Sequence, residues 1–315
     1  MIMIRYVVSI FSAAMMLLGS MGVLGQDYPN KPIRIFTGGG SADLIARLMS
    51  PVLAERLGQP VIIENRVALQ QREAVGNAPP DGYALMLAGN SFWIAPLLQK
   101  TSYDPRDFSP VTLVTSSPNI LVVHPLLPVK SVKELIALAK ARPGALNYAS
   151  TASGSAAHLA GELFKSMAGV NIMHVPYNGS GPAMTNLISG EVQLVFPAAG
   201  AAASLVKSGR LRALAVTSAQ PTALVPGLPT LAATLPGYES AVMNGMFVRA
   251  KTPAAIINRL NQEIVRVLNL PDIKAKAFDA GVELVGNSPE ELAAKVRSEV
   301  TMMGKVIKEA GIRLE

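Results

Sequence analysis

Three segments of this 315-residue chain gather Gly, Ser and Thr where an extended run gives way to a helical one. They are TGGGSAD (Thr37 to Asp43, containing Gly39, Gly40 and Ser41), STASGSAAH (Ser150 to His158) and PYNGSGPA (Pro176 to Ala183, with Pro182 suited to a helix start). The first-turn N–H groups of a helix have no intrahelical acceptor, and the aligned peptide dipoles add partial positive charge at that end. The backbone alone can therefore hold a carboxylate or a phosphate at such a junction. The hydroxyls of Thr151, Ser153, Ser155 and Ser180 add donors. Gly and Ser also build ordinary turns and caps. One such loop reads as a turn; three in one chain bring the turn and the anion site level.

Residues for bond-making chemistry are few. The chain has no Cys, which removes thiolate nucleophiles, thiolate metal sites and disulfides. It contains no G-x-S-x-G elbow, no G-x-x-x-x-G-K-[ST] loop and no H-E-x-x-H pair. The three histidines, His124, His158 and His174, show no metal-ligand spacing. His124 precedes Pro125 and His174 lies in a strand pattern, so both read as structural. His158, one turn into a helix behind a Ser-rich loop, is the histidine to place near a site. A Ser155–His158 nucleophile pair is conceivable, but three residues on one helix do not make a triad, and no carboxylate orients the ring. Asp43 caps its helix or lines a cleft, and Trp93 packs in the core or faces a cleft mouth.

Short apolar runs must position these loops. Extended patterns are expected at 33–36, 61–64, 84–88, 119–124, 146–150, 171–175, 192–196, 211–217, 245–249 and 282–286. Helical patterns fall between them, at 42–57, 132–141, 156–168, 253–268 and 289–310. Ser131 with Glu134 has the spacing of a capping box, and Glu290 and Glu291 fall in the first turn after Ser288-Pro289, where the helix dipole favours acids. The alternation predicts an α/β fold with mostly parallel strands. So many strands suit two sheets, and hence two lobes, better than one.

Composition narrows the function. Half the residues are hydrophobic and 16% are charged, which excludes intrinsic disorder. The formal charge of +7 is dispersed and aromatics are only 5%, so the basic stripe with interleaved rings that nucleic acid would need is absent. Residues 1–25 carry one base, Arg5, then an apolar stretch closed by Val23-Leu24-Gly25. This has the shape of a cleaved signal peptide, and the expected location is the periplasm. A membrane anchor of the same length is the competing reading.

The segments YPNKPIRI (from Tyr28), APPDGYALML (from Ala78), YDPRDFSPV (from Tyr103), NILVVHP (from Asn119), AGELFKSMAGVNIMHVPYNGSGPA (from Ala160) and LRALAVTS (from Leu211) appear in a specific order. In that order they resemble the substrate-binding proteins of tripartite tricarboxylate transporters, the Bug or TctC-like family, from Tyr28 to Glu315. The resemblance implies a two-lobed periplasmic binding protein of type II, a Venus flytrap. The expected division is residues 26–120 plus 246–315 for one lobe and 121–245 for the other. It implies a monomer with no enzymatic activity, cofactor or metal, which delivers a small organic carboxylate to membrane permease subunits. The family's pocket loops fall on Gly39, Gly40, Ser41 and Asp43; on Asn90 and Ser91; on Ser150, Thr151, Ser153, Gly154, Ser155 and His158; and on Tyr177, Asn178 and Gly179. Pro197 and Ala198 stand at a further cleft position.

The sequence departs from the family pattern at three places. IRIF runs almost directly into Thr37-Gly38 without the usual longer loop. Glu64-Asn65-Arg66 meets Val67-Ala68-Leu69-Gln70-Gln71 in place of Pro-Gly-Ala-Gly-Gly. Pro197-Ala198 replace a frequent Asp, a natural partner for a ligand ammonium. The expected ligand is therefore a non-amino carboxylate, more apolar than usual. The alternatives are a degenerate homologue serving as a sensor partner and an exported serine hydrolase.

Overall fold

The computed structural model describes residues 28–151 and 154–312. The expected signal peptide and Ser153 lie outside the described residues. In chain order the elements are β1 (Ile33–Thr37), α1 (Gly40–Leu57), β2 (Val61–Asn65), α2 (Ala68–Gly76), β3 (Ala84–Gly89), α3 (Ser91–Leu98), β4 (Phe108–Pro118) and β5 (Ile120–Val123). Next come α4 (Val132–Ala141), β6 (Asn147–Ser150), α5 (Ala156–Ala168), β7 (Met173–Pro176), α6 (Ser180–Ser189), β8 (Leu194–Val195), α7 (Ala199–Lys207) and β9 (Arg212–Val216). The chain closes with β10 (Ala241–Arg249), α8 (Ala254–Leu268), α9 (Pro271–Asp279) and α10 (Pro289–Ala310).

Two five-stranded sheets form, in the orders β2-β1-β3-β10-β4 and β7-β6-β8-β5-β9. Each defines a lobe, as the two-sheet expectation requires. The sheets are mixed rather than mostly parallel: β10 runs antiparallel to β3 and β4, and β5 antiparallel to β8 and β9. The antiparallel strands are those next to the crossings. The chain passes from the first sheet to the second between β4 and β5, and returns between β9 and β10.

Among the strands, two segments differ from the sequence expectation, and helices α2, α3, α6, α7 and α9 add to the five helical patterns expected. Residues 282–286 form no strand; they lie beside β4 through an isolated Thr115–Leu284 bridge and the Val285 N–H to Val114 O bond of 3.0 Å. Conversely, Phe108–Pro118 is an eleven-residue strand whose Ser, Thr and Pro content hides it. Its buried Thr112 hydroxyl donates to Asn287 O at 2.7 Å, and its buried Thr115 hydroxyl accepts from Asn244 Nδ2 at 2.8 Å. Both polar side chains are thus satisfied by residues far along the chain, which makes their burial tolerable.

Helix starts follow local chemistry. Ser288 and Glu291 form the full capping box of α10, with bonds of 3.2 and 2.8 Å. Ser131 caps α4 by accepting the Glu134 N–H, while the Glu134 carboxylate reaches the Lys130 N–H instead of closing the box. The apolar face of α10 (Leu292, Met303, Val306 and Ile307) packs into a core continuous with residues of both sheets. Its far end meets α5 of the second lobe, where Ser166 Oγ donates to Glu309 at 2.9 Å. Elsewhere the lobes meet backbone to backbone: a Cβ built on Gly281 would lie 3.2 Å from Gly200 Cα.

Helix α5 seats on β6 through Gly161, where a Cβ would lie 2.3 Å from the Tyr148 ring. That ring cannot swing aside easily, because its hydroxyl donates to Glu162 at 2.6 Å and its face stacks on His174. Ala in place of Gly gains about 1 kcal/mol of helix propensity, but overpacking a rigid core costs about 1–3 kcal/mol. The clash wins, so Gly161→Ala should lower stability by about 1–2 kcal/mol in urea unfolding; equal or greater stability would show that Tyr148 is not pinned.

Candidate functional site

Two adjoining cavities lie where the lobes face each other. The inner cavity of the second lobe, about 250 Å³, is lined by Ser150 and Thr151 at the end of β6, Ala156 and Ala157 in α5, Ser180, Ala183 and Met184 in α6, and Val195 to Ala198 leading into α7. Asn119, Ala201 and Val242 complete it. A second cavity, about 220 Å³, bridges the lobes: Gly89, Asn90, Ser91 and Ile94 come from the first, and Gly154, Ser155, Ala156 and Leu159 from the second. The crossing residues 240–242, with Glu299 and Met303 of α10, close its wall. The two cavities share Ala156 and Val242. A larger hollow of about 540 Å³ lies away from both, on the first lobe between α3 and α10, lined mainly by aromatic and aliphatic side chains. It lacks convergent helix starts, so the paired cavities are the better candidate.

Three helices of the second lobe begin at the inner cavity. Ser155 caps α5 by accepting the His158 N–H at 3.3 Å. The starts of α6 at Gly179 and α7 at Ala198 have no side-chain cap. Their first-turn N–H groups therefore lack the side-chain acceptor that capping supplies to α4 and α10, although the Ala201 N–H of α7 bonds Ala198 O at 3.0 Å. Pro182 is the third residue of α6 rather than its first, and its missing N–H still falls within that turn. Neither cavity is lined by Lys or Arg among the described residues. An anion here would be held by peptide dipoles and hydroxyls.

The expected site residues separate into groups. Ser150, Thr151, Pro197 and Ala198 line the inner cavity, and Asn90, Ser91, Gly154 and Ser155 the bridging one. The side-chain amide of Asn90 is already committed: Oδ1 accepts the Met243 N–H at 2.6 Å, and Nδ2 donates to Ala241 O and Glu299. Tyr177, Asn178 and Gly179 line neither cavity. The Tyr177 N–H donates to Ser150 O at 2.9 Å and the Gly179 N–H to Tyr177 O at 3.0 Å, so these peptides brace the loop. Gly39, Gly40, Ser41 and Asp43 also lie outside both cavities. Asp43 accepts from Thr37 Oγ1 at 2.9 Å and Arg47 Nε at 2.8 Å, and the Arg47 bond holds its carboxyl below the usual range. It does not cap its helix. Trp93 is buried in the core.

His158 stands behind the cavity wall. Its Nδ1 accepts the Gly154 N–H at 2.8 Å, its ring stacks on His174 at 3.9 Å, and His174 shares a 2.7 Å bond with Ser150 Oγ. An Nδ1 that accepts is unprotonated, so this imidazole shapes the loop instead of offering positive charge. The Ser155 hydroxyl bonds the backbone of His158 and not its ring, which removes the nucleophile–base contact a hydrolase would need. Sequence reasoning missed Asn119, Val242 and Glu299. The first two sit at lobe crossings, and Glu299 is one acid among several along an amphipathic helix.

With this geometry in hand, the family is decided by comparison. Residues 45–312 match the model of the tripartite tricarboxylate transporter family receptor, TctC. The chain belongs to this family. It is 35% identical over 310 residues to the protein BugT of Bordetella pertussis, covering 93% of each chain. It is also similar to a solved R. palustris protein, Rpa4515 with adipate: 35% identity, TM-score 0.73, with 91% of this chain and 99% of that one covered. MatC of Rhodopseudomonas palustris, with bound malate, is 27% identical with a TM-score of 0.69, covering 89% of this chain and all of that one. A Polaromonas TctC solute-binding protein, 23% identical with a TM-score of 0.82 over 90% of this chain and 99% of that one, shares the two-lobed fold. The TctC relatives are solute-binding receptors, not enzymes.

Burial, with His174 beside it, pushes the His158 imidazole down to about 4 from its ordinary 6.5. Between these values the unfolded chain binds more protons than the folded one, so stability is lost as pH falls through that window. The loss from this residue is on the order of 3 kcal/mol. His158→Asn cannot titrate and should flatten the decline between about pH 6.5 and 4 in denaturant unfolding; an unchanged slope would mean that His158 is not the linked group.

Proposed function

We propose that this protein is an extracytoplasmic receptor that captures a small organic carboxylate between its lobes and hands it to the membrane permease of a tripartite tricarboxylate transporter. The observation that carries this reading is the convergence of the uncapped starts of α6 and α7, with Thr151 and Ser180, on one cavity of about 250 Å³. Unpaired N–H groups at a helix start suit a carboxylate. The adipate and malate of the solved relatives support that ligand class. The contacts proposed are Ser150, Thr151, Ser155, Ser180 and Ala198, with Ser91 and Gly154 across the bridging cavity.

The lobes divide, in this reading, near residue 120 and again between residues 216 and 241, and the protein acts as a monomer. The periplasm is its proposed location, after removal of residues 1–25; solved relatives at 33% and 30% identity are described as periplasmic. The inner cavity is mostly apolar beyond its helix starts, which favours a ligand with a hydrocarbon middle. A degenerate homologue would have no reason to leave these helix starts uncapped around an open space.

The test is a thermal-shift and calorimetric screen of purified protein against mono-, di- and tricarboxylates. A ligand at a hundred times its Kd should add about 2.7 kcal/mol of stability. Ala201 is exposed on the cavity wall. Ala201→Trp should fill the space, weaken binding at least about tenfold and leave ligand-free stability within about 0.5 kcal/mol. Undiminished binding in that variant would put the ligand elsewhere.

A further inference from the structure

Three acidic side chains are buried in the described residues: Glu162, Glu263 and Glu299. Glu263 is held by Arg56, Arg259 and Arg266, and Glu162 by Lys165 at 2.7 Å. Glu299, 8% exposed, has no such cation. Its two oxygens accept one neutral N–H each, from Asn90 Nδ2 at 2.5 Å and Trp93 Nε1 at 2.6 Å. Lys295, one turn earlier on α10, is engaged with Glu239 at 2.5 Å. Burying a carboxylate without a cation is costly, and two hydrogen bonds from neutral donors offset only part of that cost. Yet this acid lines the bridging cavity, beside the space that opens toward the helix starts of the second lobe.

We infer that Glu299 selects the ligand by the chemistry of its far end: a carboxylate at one end, and at the other a hydrogen-bond donor bearing no negative charge, a hydroxyl or an ammonium. The inference rests on the carboxylate reading above and deepens it. A carboxylate has about four lone-pair sites, and Asn90 and Trp93 occupy two, so Glu299, which lines the bridging cavity, retains acceptor capacity. A ligand whose first carboxylate sits at α6 and α7 would bring a second carboxylate toward Glu299. Like charges in a poorly solvated space repel strongly, which excludes a partner more effectively than poor fit does. A donor placed there gains a charge-assisted bond instead. Burial pushes the Glu299 carboxyl upward and Glu239 adds to this, while the Trp93 and Asn90 bonds and Lys295 oppose it. The group is thus poised to profit from one more donor. Removal of the family's frequent Asp at Pro197 predicts no partner for a ligand ammonium; Glu299, reached from α10, supplies an acid that this reasoning did not see.

The experiment is calorimetric titration of the full mature protein, wild type and Glu299→Gln, with matched series: adipate, 6-hydroxyhexanoate, 6-aminohexanoate and hexanoate, and the four-carbon equivalents. The wild type should bind a donor-terminated acid at least about tenfold more tightly than the dicarboxylate of equal length. Glu299→Gln should bring that ratio within about threefold. A residue that merely braces Asn90 would weaken every ligand alike and leave the ratio unmoved, which overturns the inference. So does a wild-type protein that prefers the dicarboxylate, a result that needs no variant to fold. If no member of either series binds the wild type, the carboxylate reading fails and this inference with it. The hydroxyl and amine arms decide between the two donors.

Discussion

A cavity that offers an anion no cation depends on peptide dipoles that do not move. The attraction of a dipole falls off faster with distance than that of a full charge, so its worth lies in being held in place before the guest arrives. In the second lobe this holding is done by peptide N–H groups whose bonds are spent inside the protein. Tyr177 N–H is tied to Ser150, and Gly154 N–H to His158. Behind them Tyr148, Glu162 and Lys165 form a buried polar cluster in which each hydrogen bond supports the next. A cluster of this kind stiffens its surroundings when every member is satisfied. What remains unpaired at α6 and α7 is then a fixed pattern.

The lobes are joined at the chain crossings and along the last helix. At the crossings Thr217 N–H and its hydroxyl both bond Asn119 O, at 2.9 Å each, and Asn90 clamps the start of β10. The last helix adds a continuous apolar core between the lobes. Beside the first crossing the lobes also meet at the Gly200–Gly281 approach and through a hydrogen bond from Thr222 to Glu283. Any bending of one lobe against the other must therefore pivot about these crossings, the geometry of hinge closure.

Much of this architecture was legible in the sequence, and the failures have physical causes. The second-lobe junctions were visible because apolar runs end in Gly and Ser just where helical spacing begins. The junction at Gly39 to Asp43 carries the same local signal, yet lies outside both cavities; which helix start faces the cleft is set by packing of whole lobes. Asn90 lines the bridging cavity, but its amide is taken by residues more than a hundred positions away, which no local pattern shows. Strand β4 was hidden because its buried threonines find partners only after folding. Glu299 was invisible for a related reason: along α10, charge alternates with apolar residues, and no local rule tells which acid turns inward.

The meeting of Gly200 and Gly281 gives the cleft a bearing surface without teeth. Neither residue carries a side chain that could interlock, so rotation of the lobes past this point breaks no packed contact between side chains. A larger residue at Gly281, whose Cβ would lie 3.2 Å from Gly200 Cα, would act as a doorstop. The population able to shut would shrink, and apparent affinity would fall in the same proportion even with every ligand contact intact.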